Sequence, residues 1–483
     1  MAVIVALLAL LGGLAGAVTV PVGDNSVSGV SSGACTLHPK LRERIHKDVA
    51  WLDEIGGITD AMIRNISLVC DVNIRHQCNV QATRMMIKDG EIYLNSLHPE
   101  WRLGPHEFIG FLLELYETSR MHKLPDLEFA WNGNDDAADP AFTWTDRATL
   151  QARFHGGPFP ILAWSKSERS FASLVPYSGA FRCSEDSFDN MMYRLEELKR
   201  VPWQERKKVA FGRWNLFCAT YTYGQEVLPS GQRSICPRSY LPSLNSQLPQ
   251  HMDILPLGSI NGGPARGTPV PLLHQNAYRY LVSTDGWAIS SKFDKYLLLG
   301  SLIIKAASSR KGYYYDALVP DVHFLPCMNE SLGDIVGRVK WALQHDAEAQ
   351  RIAEAAQAFA VKHLHRGARL CYYRTLIEEM GKRMKYTPDC ANRKLCIPLG
   401  RFLEFLAANP RYAHSCRLQE VLIRYGVERS MPQYNASSDA VINELLKDPK
   451  HWPRDTDIPP RTVEPYFPGS RRRRHRQRRR RQH

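Results

Sequence analysis

The chain has 483 residues and a formal net charge of +13, with 44% hydrophobic, 23% charged and 10% aromatic residues. Those proportions exclude wholesale disorder, collagen and coiled coil, and the length exceeds what one core of about 250–300 residues fills. Nor does the charge mark a nucleic-acid binder, because nine arginines and no acid stand between Arg471 and His483, leaving the body of the chain nearly balanced.

Met1–Leu11 is an apolar run, followed by Gly12, Gly13 and Ala15-Gly16-Ala17. That is the h-region and small-residue cleavage site of a signal peptide over 1–17, although its n-region lacks Lys and Arg. A membrane anchor is the other reading, but a span needs about 18–20 apolar residues, and no later segment is long and apolar enough. The Ser/Gly-rich lead over 18–35 reads as a flexible linker.

From 36 to 200 the pattern predicts one α/β domain. Gly90–Asn95 reads as a strand, Pro105–Lys123 as a helix, Leu124–Trp131 as a strand, and Pro158–Trp164 and Ser170–Tyr177 as buried strands. A second α/β domain follows over 201–384. Lys207–Gly212 and Asn276–Thr284 read as strands, Ser291–Ala306 as a short helix turning at Gly300 into a strand, and Ala317–Cys327 as a strand. Ser331–Leu364 carries apolar residues at helical spacing. Two such stretches suggest parallel-sheet domains facing across a cleft. Residues 385–468 form a proline-punctuated extension, and 469–483 an arginine-rich tail.

Eleven cysteines fit a secretory lumen. Cys70 with Cys78, and Cys390 with Cys396, are close enough for small disulfide loops, and neither pair has the CxxC spacing of a zinc ribbon. Connectivity does not follow from the sequence, and the odd count leaves at least one thiol unpaired or bonded to another chain. Sequons at Asn65, Asn329 and Asn435 fit the same compartment but add little alone.

The segment Pro271–Ala306 carries the most chemistry: strand, polar loop with Gly286, helix start, strand. Backbone N–H groups of such a loop can cradle an anion that Lys292 would neutralise. Ser290 and Ser291 can add hydroxyl donors or simply cap the helix. The segment resembles glycosyltransferase family 90, the capsule-associated and lipopolysaccharide-modifying transferases that include protein O-glucosyltransferases of the Rumi type. Their pattern H-x-N-x-[FY]-[KR]-Y-L, a glycine-containing loop, A-S-[FY]-R and L-x-x-G-S-L is matched by His274, Asn276, Tyr278, Arg279, Tyr280 and Leu281, by Gly286 and Ser290, and by Gly300, Ser301 and Leu302. Leu124–Pro140 looks like the family's L-P-D-[VL]-E-[FML] strand and acidic loop, and Pro202–Asn215 like its W-x-x-K-…-A-[FY]-F-R-G-S. Arg238, Leu241, Leu244, Pro249 and Asp253 keep its R-x-x-L spacing with a later Pro and Asp. Ala317–Cys327 and the helix after it resemble its L-x-P-x-x-H-[YF]-[VI]-P and E-x-x-x-[FY]-A endings.

The resemblance, over roughly 60–380, implies a GT-B fold: two Rossmann-like domains, the C-terminal one holding a UDP-sugar and the N-terminal one presenting the acceptor. It implies an inverting transfer of glucose or xylose to a protein or glycan hydroxyl, without a bound metal or other cofactor. Asp135 aligns with the family's catalytic base, with Asp136 one residue beyond. A carboxylate there would take the acceptor proton as its oxygen attacks the anomeric carbon, although an Asn-Asp-Asp run is also ordinary turn sequence. Trp287, Ala288, Ile289, Ser290, Ser291 and Lys292 align with the diphosphate loop, and Asn215 and Arg238 with further nucleotide contacts. Arg238 also reads as a surface ion-pair partner.

Departures from the pattern include Lys292 for an arginine, Trp214 for a glycine and Asn215 for a serine. An ammonium lacks the bidentate fork of a guanidinium, which motivates a second hypothesis, a catalytically inactive glycan-binding or scaffold protein on the same fold. The segment after Tyr177 lacks the Pro/Trp-rich loop with which the family grips folded protein acceptors, so a glycan acceptor stays open. His122, His323, His363 and His365 have no ligand-like set beside them. The tail resembles nucleic-acid arms and nuclear signals, but in a secretory protein it points to acidic polysaccharide, anionic lipid or no partner at all. It does not end in a KDEL-type signal. The expected location is the secretory lumen (endoplasmic reticulum or Golgi) or outside the cell.

Overall fold

The computed structural model describes residues 35–69, 82–95, 105–132, 159–177 except 169, 187–218 except 217, 235–257, 267–393 except 287, 395–408 and 418–425. The chain divides into two units, Met1–Cys35 and Thr36–His483; everything below concerns the second. Cys70, Cys78, Asn435, Asp135, Asp136, Trp287 and the arginine tail lie outside the described residues.

Helix α1 (Pro39–Glu54) opens under a His38 cap with proline in its first turn, where a missing N–H costs nothing. Then come α2 (Asp60–Val69), the hairpin β1 (Ala82–Lys88) and β2 (Glu91–Leu94), α3 (Pro105–Met121) and β3 (Leu127–Asn132). The short strands β4 (Ile161–Ala163), β5 (Lys166–Ser167) and β6 (Ser173–Leu174) follow, then α4 (Phe188–Tyr193). The second run holds β7 (Lys207–Trp214), β8 (Met252–Pro256), β9 (Tyr278–Ser283), α5 (Phe293–Leu298), β10 (Leu302–Ala306), β11 (Arg310–Lys311) and β12 (Leu325–Cys327). Last come α6 (Ile335–Gln344), α7 (Asp346–His363), α8 (Arg366–Gly381), β13 (Ile397–Pro398), α9 (Leu399–Ala408) and α10 (Leu418–Tyr425).

These elements form a mixed α/β fold on two main sheets. The first has the order β13-β2-β1-β3-β4-β6, antiparallel up to β3 and parallel beyond it. The second has the order β12-β10-β9-β7-β8 and is parallel throughout. Parallel strands covered on both faces read as unbroken apolar runs, which is why YRYLVS and LIIKA were legible as strands. One core joins Ile254, Tyr280, Val282, Leu302, Ile304 and Leu325 to Ile335, Val339 and Ala342 of α6 and Ile352 of α7.

The helical pattern over Ser331–Leu364 divides into two helices at His345, whose backbone (φ −117°, ψ 52°) is not helical. Its ring stacks on Trp341 and its Nδ1 bonds the Trp341 carbonyl at 2.9 Å. Asp346 and Glu348 then start α7, and Lys362 stands in its last turn, charges placed to suit the helix dipole.

Late segments return to the first sheet. Helix α8 packs against α1 and α3, and β13 pairs with β2 in the register Ile397↔Leu94. The Asn95 amide donates to the Leu395 carbonyl at 3.0 Å. Between these lies the Cys390–Cys396 loop, bonded as its spacing suggested. That loop presents Arg393, which donates to the fully buried Glu128 of β3 through Nε (2.8 Å) and Nη2 (2.5 Å).

Candidate functional site

Renumbered along the chain, the second sheet has strand order 2-1-3-4-5, and the order reverses between β7 and β9. The chain leaves these two neighbours in opposite directions, opening a crevice beyond their carboxyl ends, where open α/β sheets bind ligands. The described donor-side residues expected from the sequence lie in the segments flanking that crevice. Asn215 directly follows β7, residues 288–292 follow β9, and Arg238 bridges the two.

Arg238 is half-buried in a single helical turn, Pro237–Tyr240. Its Nη1 donates to the Asn215 carbonyl (3.1 Å), its Nε to Thr284 Oγ1 (3.3 Å) and its Nη2 to the Thr284 carbonyl (3.3 Å). A Cβ on Gly286 would lie 2.8 Å from Nη1, so glycine is what lets the guanidinium lie across the loop. These bonds bridge the ends of the two strands. The Cys218–Cys236 disulfide, not anticipated from the sequence, fastens the segment just before it.

Lys292 reaches the same place from the other side, its Nζ donating to the Arg213 carbonyl near the end of β7 at 2.7 Å. Arg213 itself is committed to Asp253 by a two-pronged pair at 2.8 and 2.9 Å. Two cationic heads, those of Arg238 and Lys292, therefore stand at the ends of β7 and β9.

The loop beneath them is held from inside. Asp285, 6% exposed, accepts from the Ser290 N–H (2.8 Å), from Lys305 Nζ (2.8 Å) and from Tyr315 Oη (3.1 Å). Burial, and after it the adjoining Asp285, push the Tyr315 phenol well above its ordinary pKa, so it remains a neutral donor. Ser290 Oγ accepts from the Lys292 N–H at 3.4 Å, a bond within the loop, and α5 starts after Lys292 without a side-chain cap. The N–H groups of Gly286, Ile289 and Phe293 are also bonded within the protein. The backbone cradle expected from the sequence is thus largely occupied, and side-chain cations carry the site's positive charge. Asp285, Lys305 and Tyr315 were missed in the sequence. Lys305 and Tyr315 lie 20 and 30 residues beyond Asp285, and the one available signal was the polar Ser-Thr-Asp-Gly run after a buried strand.

Trp214 turns out to be built in. Gly212 stands where the family pattern has phenylalanine, and the Trp214 ring fills the room above it, with Cζ3 2.5 Å from where a Cβ on Gly212 would be. The large and small residues have exchanged places on one strand face. The indole also donates to the Arg238 carbonyl at 2.9 Å. Among the described residues no group of three or more His, Cys, Asp or Glu is arranged to hold a metal ion.

A parallel sheet in this strand order, with cationic side chains at its reversal, defines a doubly wound α/β fold. A family model described as glycosyl transferase family 90 matches residues 35–398, and the chain belongs to that family. It is 36% identical over 302 residues to protein O-glucosyltransferase 2 of Danio rerio, covering 61% of this chain and 54% of that one. The chain thus spans about half the length of that relative. It is 24% identical over 285 residues to protein O-glucosyltransferase 1 of Mus musculus, covering 57% and 66% of the two chains. With an O-glucosyltransferase rumi homolog of Aedes aegypti it shares 26% over 353 residues, covering 68% and 75%. A crystal structure of Anabaena HepE in complex with UDP covers 52% of this chain and 70% of its own at 12% identity, with a TM-score of 0.25, too low to compare the two site by site.

Proposed function

We propose that the protein is a UDP-sugar-dependent, inverting glycosyltransferase that transfers glucose to a protein hydroxyl, with its two sheets forming the halves of a GT-B arrangement. The observation that carries this reading is the meeting of Arg238 and Lys292 at the carboxyl ends of β7 and β9. The diphosphate gains charge as its bond to the anomeric carbon breaks, and cations already in place lower that barrier. Asp135 serves as general base, taking the acceptor hydroxyl's proton as its oxygen attacks the anomeric carbon from the opposite face. Family membership and the names of the relatives favour glucose and a protein acceptor, and xylose is the other donor to test. The disulfides Cys218–Cys236 and Cys390–Cys396 support an oxidising lumen as the place of action.

The test is UDP release from a panel of UDP-sugars, with transfer scored on a folded protein domain and on a glycan. UDP-glucose should turn over, and Asp135→Asn should lose about 10²–10⁴-fold in rate with UDP affinity unchanged. Near-normal turnover by that variant would move the base elsewhere, Asp136 first. A second reading, a glycan-binding scaffold without catalysis, is favoured by Lys292, whose ammonium is engaged by the Arg213 carbonyl. UDP binding without release from any donor would select it.

A further inference from the structure

The acceptor-side sheet touches the donor loop. Ser165 follows the carboxyl end of β4, is 1% exposed, and accepts the Ile289 N–H through Oγ at 3.2 Å. Ile289 lies three residues before Lys292, in the stretch that carries the site's ammonium. A second contact reaches the loop two residues later. The buried Lys295 Nζ donates to the Ser291 carbonyl at 2.7 Å and lies 5.8 Å from the centre of the Tyr177 ring, beyond β6 of the first sheet.

We propose that Ser165 is a positioning residue for donor binding, a role that rests on the functional reading above. The neighbouring restraints on the loop (Asp285 on the Ser290 N–H, and Ser290 Oγ on the Lys292 N–H) both come from its own sheet. The peptide between Ala288 and Ile289 is held on its carbonyl side by the Gly286 N–H, which donates to the Ala288 carbonyl at 2.9 Å. Ser165 holds the N–H side of that peptide, from the other sheet. Without its oxygen the buried Ile289 N–H has no acceptor, and the cheapest relief is to rotate that peptide toward water. The rotation is passed along the few bonds to Lys292, moving the ammonium away from the ends of β7 and β9. The acceptor-side sheet thereby takes part in setting affinity for the nucleotide, although its serine need not touch it.

The experiment compares the parent with Ser165→Ala and Ser165→Thr by UDP calorimetry, thermal unfolding and amide exchange at Ile289. Ser165→Ala should bind UDP about tenfold more weakly, the usual worth of one such hydrogen bond at the upper end. It should also lose protection at the Ile289 amide while its Tm changes little. Ser165→Thr keeps the oxygen and should recover both. A Ser165→Ala protein that binds UDP like the parent overturns the proposal, as does one whose only change is a lower Tm. Should the parent itself bind no UDP, the donor-site reading falls, and this inference falls with it.

Discussion

Gly212 and Trp214 show how one substitution depends on another. A methyl group at Gly212 would press into the indole, and a ring fixed on both sides cannot yield. Gly212→Ala should therefore cost about 1–3 kcal/mol, the usual penalty of overpacking. Gly212→Phe combined with Trp214→Gly should recover most of what either loses, and a double-mutant cycle by urea denaturation measures that coupling. Strict additivity would mean that the two sites are independent. Trp214→Phe keeps the bulk but loses the bond to the Arg238 carbonyl, so it should weaken UDP binding more than stability. Lys292→Ala should lower UDP affinity and kcat together, by about tenfold or more as for a charged hydrogen-bond donor. If both match the parent, this lysine does not serve the diphosphate. The family pattern brought Lys292 and Arg238 into view, because each stands in a local motif. Ser165 and Asp285 were not visible in that way, since each acts on partners in other segments of the chain, and polarity in a loop is not distinctive.

Helices α1 and α8 are capped by imidazoles. His38 Nδ1 accepts the Lys40 N–H (3.2 Å), and His365 Nδ1 accepts the Ala368 N–H (3.3 Å). His323 Nδ1 does the same for the Val319 N–H at 2.9 Å. Each bond needs an unprotonated Nδ1. His38 and His363 meet edge to face at 4.8 Å, and His323 and His363 both pack on Phe359. Burial is the first cause that lowers all four imidazoles below their ordinary value. Lys362 and Lys40 add to it at His38, His38 at His323, and Arg369 at His365, where Asp189 pulls the other way. His363, facing His38, Lys362, His365 and His323, is held down to about 4. Unfolded imidazoles take up protons near a pH of about 6.5, so the unfolded chain binds more protons. Stability is therefore complete above that pH and is lost as pH falls toward about 4. Each such proton contributes at most about 1.4 kcal/mol per pH unit, less here because the cluster is partly exposed. Tm should fall more steeply between pH 7 and pH 5 for the parent than for His38→Gln with His363→Gln, and equal slopes would remove the cluster from the account. Strands β9 and β10 were legible because both faces are buried, and the core-facing helices because of their period. Strand β13 was not, since two residues ending in proline carry no alternation, and their pairing depends on β2.

The two sheets are also tied beside the 288–292 loop, where a Cβ on Gly312, the residue after β11, would lie 3.0 Å from Ile289 Cδ1. Strand β5 of the first half pairs with β11 of the second, Arg310 opposite Ser167. Beside this ribbon the buried Arg44 of α1 binds Asp48 (3.1 Å), Glu168 (2.9 Å) and Asp316. Burial would raise Glu168, but Arg44 and then Lys47 outweigh it and hold that carboxyl down to about 2. Arg44→Ala removes a buried cation from three carboxylates that each keep a lysine, Lys166 at Asp48, Lys47 at Glu168 and Lys311 at Asp316, and should cost about 1–3 kcal/mol; no loss in urea denaturation would show that Arg44 does not hold the seam. The return of β13 to β2 has its own consequence, which concerns the order of synthesis. Asn95 and its partner Leu395 are 300 residues apart, so at roughly 5–20 residues per second the ribosome leaves the outer edge of β2 open for tens of seconds. An open strand edge is a template for pairing with another chain, so the outer edge of β2 is an aggregation hazard until β13 follows.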